Sequence, residues 1–134
     1  GEIMAVARSA KVLLGTDETV GVTITNGSTS TEAEVDMLGD DISMGYANFY
    51  VKYTGTGTTA NGLRVQIIPR RISGQSYVAQ LPAANIKTYT PISGTENIFL
   101  GTFIIGRFAS VAVRNTSGAS MTNVFVAAEV LKMT

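Results

Sequence analysis

The side chains that could do chemistry in this 134-residue chain are few, since it has ten acidic and ten basic residues but no histidine, cysteine or tryptophan. Without histidine the commonest general base, the commonest zinc ligand and the usual switch near neutral pH are missing. Without cysteine there is neither a disulfide nor a thiolate. Serines and threonines abound, but a serine nucleophile needs an activating base, and a Ser-Lys arrangement needs a buried lysine that the sequence does not identify. Two carboxylates can hydrolyse a glycoside when they face each other across a cleft, whereas the acidic residues here cluster in turn-like stretches. Glu34, Asp36, Asp40 and Asp41 are the one group with the oxygen ligands that calcium takes. They lack the spacing of a calcium loop, and Asp after Gly39 is ordinary turn chemistry. Gly55-Thr56-Gly57 imitates a phosphate loop, but it leads into a strand pattern and not into a helix N-terminus. The chemistry-bearing residues therefore predict no catalytic site, no metal and no cofactor.

The remaining candidates are surfaces. Tyr50, Tyr53, Tyr77 and Tyr89 either stack on sugar rings or a partner, or pack in the core or at its rim, which is the ordinary role of tyrosine in strands. Arg64, Arg70, Arg71 and Arg107 form a modest basic feature, read as a solvated face or as salt bridges to another subunit. Asn26-Gly27-Ser28 and Asn115-Thr116-Ser117 match the glycosylation sequon but read as turns. Formal net charge is zero, so nothing holds a polyanion and nucleic-acid binding is disfavoured. No apolar run approaches the roughly 18 residues of a membrane helix, and no charged-then-apolar signal opens the chain. Gly1-Glu2-Ile3 ahead of Met4 reads as a processed or added start.

The elements that must position these residues are strands. Val111 and Val113, and then Val124, Val126, Ala128 and Val130, recur at every second position, the period of one face of a β-strand. The turn-prone run from Asn115 to Ser120 lies between them, so the two runs predict a β-hairpin. Val20, Val22 and Ile24 alternate in the same way and stop at the Asn26-Gly27 turn. Residues 32–38 alternate acidic with apolar side chains and suit a strand or a short helix, and a turn follows at Gly39-Asp40-Asp41. Phe49, Val51 and Tyr53 share a face opposite Tyr50 and Lys52. Residues 54–62 then read as a flexible hairpin loop, and Leu63, Val65 and Ile67 resume the alternation until Pro69, which lacks an amide hydrogen, ends it. From Arg70 to Asn97 the pattern weakens into a long crossing, a length that marks functional or mobile loops, and Ile98 to Ile105 is a further strand.

Eight or so strands with little sign of helix predict an all-β, single-domain antiparallel β-sandwich, jelly-roll-like, over a small barrel. A chain of this size buries about two-thirds of its unfolded surface, enough for one core. Residues 1–9 are read as an N-terminal arm or edge strand and residues 10–134 as the sandwich domain.

Four stretches carry a likeness: Ala47-Asn48-Phe49-Tyr50-Val51-Lys52-Tyr53 before a Gly/Thr loop, Leu63-Arg64-Val65-Gln66-Ile67-Ile68 after it, Leu100-Gly101-Thr102-Phe103, and Ser110 to Ala119. Over residues 47–131 the chain resembles small bacteriophage virion structural proteins of the capsid decoration (cement) type, departing from them in the long 70–97 connection. The resemblance implies a non-enzymatic virion component on the capsid surface, commonly a homo-trimer bound to the major capsid protein. The apolar arm and the Pro-rich crossing are expected to supply the contacts, through Ile3, Met4, Val6, Arg8, Tyr77, Tyr89 and Pro91. A tail or baseplate component, or a receptor-recognition module that binds carbohydrate through its tyrosines, is the alternative.

Overall fold

The computed structural model describes residues 6–39, 45–70, 73–74 and 85–133. The strands are β1 (Val6–Leu14), β2 (Val22–Ile24), β3 (Ser28–Thr29), β4 (Val35–Asp36), β5 (Gly45–Gly55), β6 (Leu63–Arg70), β7 (Ile86–Tyr89), β8 (Gly94–Ile105), β9 (Phe108–Asn115) and β10 (Met121–Met133). One sheet has the order β1-β10-β5-β8, with β2 also pairing β10, and the other β3-β9-β6-β7, with β4 also pairing β9. All the pairings are antiparallel. Every connection except β1–β2, β3–β4 and β6–β7 passes from one sheet to the other, the crossing pattern of a jelly roll.

The alternation read from the sequence sets the faces. Phe49, Val51 and Tyr53 on β5 meet Leu63, Val65 and Ile67 on β6 and Val111 and Val113 on β9 in one buried core, with Val124, Val126, Ala128 and Val130 of β10 beside them. Phe49 and Phe103 pack edge to face at 5.5 Å. Bulges keep the phase where a strict period of two would fail. On β8 the register slips at Leu100, so Phe49 pairs Gly101 while Tyr50 pairs Phe99. Leu100, Phe103 and Ile105 then all face the core, and Phe99 and Ile104 face out. Gly101, at φ 130°, takes the backbone angle that this slip requires.

The pairing partners differ from the hairpins that the turn residues suggest. β9 and β10 lie in different sheets, as do β5 and β6, so residues 116–120 and 56–62 are arches over one end of the core. The reason is burial. Ser110, Val111, Ala112 and Val113 are all buried, so β9 is covered on both faces and is central in its sheet, paired to β6. The 70–97 stretch also departs from expectation, for it holds β7 and the start of β8. Pro69 does not end β6, which pairs on through Arg70↔Phe108. Proline is tolerated there because β7 pairs only Leu63 to Gln66, so Pro69 faces no β7 partner on that side. Residues 32–38 give only the short β4 and no helix, and the expected turn at Asp40-Asp41 lies outside the described residues.

At the arched end the loops lock together. Asn115 is fully buried; its Nδ2 donates to Ile24 O and Ala119 O, each at 2.8 Å. Its Oδ1 accepts from Ser117 N (2.9 Å) and Ser117 Oγ (2.7 Å). The second arch sits on the first through Thr59 N to Ser117 O (3.1 Å) and Thr116 N to Gly62 O (2.8 Å). The 25–28 turn joins through Gly27 N to Asn115 O (2.6 Å) and Gly118 N to Asn26 Oδ1 (3.0 Å). A Cβ on Gly62 would lie 2.6 Å from Ser117 Cα, so only glycine permits this approach. Asn115→Ala orphans several buried groups and should cost about 3 kcal/mol or more. Asn26→Ala, which breaks one exposed bond, should cost less than about 1 kcal/mol. Urea unfolding of the two variants checks the contrast, and equal costs would contradict it.

Candidate functional site

The sheets present unequal outer faces. On the β6–β9 side Ile68 and Ala112 are buried although they point away from the core. On the β1-β10-β5-β8 side Val12, Tyr46, Tyr50, Phe99 and Ile104 are exposed. The registers place Val12, Ala127, Tyr50 and Phe99 in one row across four strands, and Tyr46 opposite Ile104 nearer the β5 N-terminus. Exposed apolar groups gathered on one face mark an interaction surface.

The row lies beside a groove of about 350 Å³ lined by Glu18, Tyr50, Lys52, Asn97, Phe99 and Phe125 among others. Its far side is the 15–21 loop, which folds back on β10 where Asn123 takes φ 49°. Gly15, at φ 85°, would with a Cβ come within 3.3 Å of the Phe125 ring, and the loop leaves Phe125 only 9% exposed. Asp17 fixes the loop, its Oδ1 accepting from Thr19 N (2.7 Å), Thr19 Oγ1 (2.7 Å) and Val20 N (2.9 Å). The Thr19 hydroxyl, followed by the Thr19 and Val20 amides, holds the Asp17 carboxyl below its usual range. Tyr50 and Phe99 stand 5.2 Å apart with their rings tilted by 36°.

Of the residues predicted to meet partners, Val6 and Arg8 lie on β1, which runs continuously from 6 to 14 and pairs β10 at the edge of its sheet. Tyr89 on β7 packs half-buried against the core, and burial raises its hydroxyl pKa. Pro91 is buried. Ile3, Met4 and Tyr77 lie outside the described residues. Of the other tyrosines, Tyr53 is buried in the core and Tyr50 is exposed. Phe99 and Phe125 were not singled out in the sequence, because neither belongs to a motif and an aromatic residue is ordinary in a strand. The bulge at Leu100 was the unread signal.

The charged residues satisfy one another at the opposite end. Arg70, expected on a solvated face or in a bridge to another subunit, is instead largely buried, donating to Glu32 Oε2 and Ser110 Oγ at 3.1 Å. Arg107 pairs Asp36 at 3.0 Å, and Glu34 accepts from Ser73 Oγ (2.6 Å) and Gly74 N (2.8 Å). Asp40 and Asp41 lie outside the described residues, and among those described no group of three or more His, Cys, Asp or Glu is arranged to hold a metal.

No protein-family model matches the chain, and no curated protein matches it in sequence. A solved structure from Bacillus endospore appendages, described as a family of disulfide-linked pili, is similar over 98% of this chain and 91% of its own, at 14% identity and a TM-score of 0.44. A likeness of that size carries no functional argument. These 134 residues contain no cysteine, so disulfide linkage is not open to them.

The Arg107 hydrogen bond and then the Gly39 amide lower the Asp36 pKa, and the Ser73 hydroxyl and Gly74 amide lower that of Glu34. Each carboxylate therefore binds its proton less readily folded than unfolded and adds stability above about pH 4, which is lost as pH falls. With no histidine, Tm should be level from about pH 5 to 8 and should drop below about pH 4. Calorimetry across this range checks it, with a smaller acid-side drop expected for Asp36→Asn. An equal drop in that variant would place the acid sensitivity elsewhere.

Proposed function

We propose that the protein is a non-enzymatic structural component of a virion surface, a capsid decoration protein that stabilises a phage head by contacts with its own copies, as a homo-trimer, and with the major capsid protein. The observation that carries this reading is the open end of the β1-β10-β5-β8 sheet. Tyr46 and Ile104 pair across β5 and β8 there, 52% and 60% exposed, at the end where edge strand β1 begins, with Val6 opposite Met133. An apolar cross-strand pair at the sheet end where the edge strand begins, with β10 between them, suits a contact made partly by the residues ahead of Val6. The neutral, cysteine-free composition and the hydrogen-bonded far end suit a durable part whose work is burial against neighbours. A protein that binds the assembled shell better than its separated parts stabilises it by linkage.

Two variants test the contact. Removing residues 1–5 spares every described strand, whereas a deletion to residue 9 would cut into β1. Tyr46→Ser with Ile104→Ser removes the apolar pair without touching the core. Light scattering over a dilution series should show a concentration-independent trimer for the intact chain and dissociation or weaker capsid binding for both variants, with Tm nearly unchanged. A monomer that also fails to bind assembled capsids would refute the reading.

A further inference from the structure

The groove between the 15–21 loop and the β5–β8 pair is separate from the open end. Tyr46 and Ile104 lie four and five residues along β5 and β8 from Tyr50 and Phe99, and they do not line it. Its volume, about 350 Å³, falls at the small end of ligand sites, which bury an apolar ligand face and hold a few polar groups at the rim. We infer that this groove is a carbohydrate-binding site, taking a neutral hexopyranose oligosaccharide with its sugar rings laid on Tyr50 and Phe99.

Three observations select that ligand. First, the charges cancel: one carboxylate, Glu18, and one ammonium, Lys52, line the groove, so neither an anion nor a cation gains net attraction. Second, the rim both donates and accepts. Glu18 accepts, Lys52 donates, and the Asn97 amide and Tyr50 hydroxyl do both, which matches the hydroxyls around a sugar ring. Third, the floor is aromatic and uneven. Phe125 lines it together with Tyr50 and Phe99, whose rings pack on each other with centroids 5.2 Å apart and planes tilted by 36°, so the pair offers an uneven aromatic surface and not one flat face. The apolar C–H face of a pyranose meets the aromatic faces while its hydroxyls reach the rim.

The platform is prepared in the fold. Tyr50 is 45% and Phe99 56% exposed without a ligand, and both project from paired strands of an arch-locked sandwich. The Asp17 turn holds the loop that carries Glu18. Little ordering is left for binding to oppose.

The test is a printed array of neutral and anionic oligosaccharides, with the best neutral ligand titrated into the intact protein and adenosine as the flat comparison. Binding should be to neutral glycans, and Phe99→Ala and Tyr50→Ala should each weaken it by about tenfold or more, while Phe99→Tyr retains it. Since both residues are exposed, the variants should keep their Tm. Chemical-shift mapping on the unsubstituted protein should centre on Tyr50, Lys52, Asn97 and Phe99 whatever the variants do. A blank array, preference for anionic glycans or adenosine, shifts centred elsewhere, or affinity unchanged in both alanine variants would overturn the site. The outcome is independent of the shell role, because capsid binding should survive Phe99→Ala.

Discussion

The side chain of Asn115 makes four hydrogen bonds inside the arched end, one to the carbonyl of Ile24 at the end of β2, one to the carbonyl of Ala119 in the 116–120 arch, and two to Ser117. In water these bonds would add little, but buried they must all be made, because an orphaned donor or acceptor there costs its full desolvation. The 116–120 arch thus has one low-energy shape, and the 56–62 arch and the 25–28 turn are built on that shape. A sandwich in which six of the nine connections cross between sheets needs such a lock, since among the described residues no tight hairpin holds neighbouring strands in register.

With one end fixed by hydrogen bonds and the other by the Arg107–Asp36 and Arg70–Glu32 ion pairs, the sheets need not use their outer faces for stability. One outer face is nevertheless covered. The other keeps a row of apolar side chains in water, which folding alone does not require. The bulge at Leu100 sets this face, because it turns Leu100 inward and leaves Phe99 outward on the same strand as Ile104. The proposed shell contact and the proposed sugar platform occupy different parts of that face, so a particle part anchored at its open end can still present the groove to solvent.

Faces were legible in the sequence and neighbours were not. The period of two at Phe49, Val51 and Tyr53, and at Val124 to Val130, assigns each side chain to core or solvent. Alternation reports burial and carries no record of which strand lies alongside. Asn-Thr-Ser-Gly at residues 115–118 can turn a chain back on its own sheet or lift it to the next. The deciding clue was Ser110 to Val113, where small and apolar residues occupy both faces, a pattern of a strand covered on two sides. The arginines show the same limit, because their partners Glu32 and Asp36 are 38 and 71 residues away in sequence. The groove was half legible: the alternation put Tyr50 and Lys52 on the face opposite Phe49, Val51 and Tyr53, while Phe99 depended on a bulge and Phe125 on a loop folded over it.

The central claim is that the arched end is part of the cooperative core and not a set of surface loops. Native-state hydrogen exchange at the amides of Thr59, Gly62, Thr116 and Ser117 tests this most directly. If the Asn115 lock holds the sandwich, these amides exchange as slowly as those of β5 and β9 and open only with global unfolding. Exchange at loop-like rates while the strands stay protected would contradict the account, and would move the source of the fold's register to the strand pairings alone.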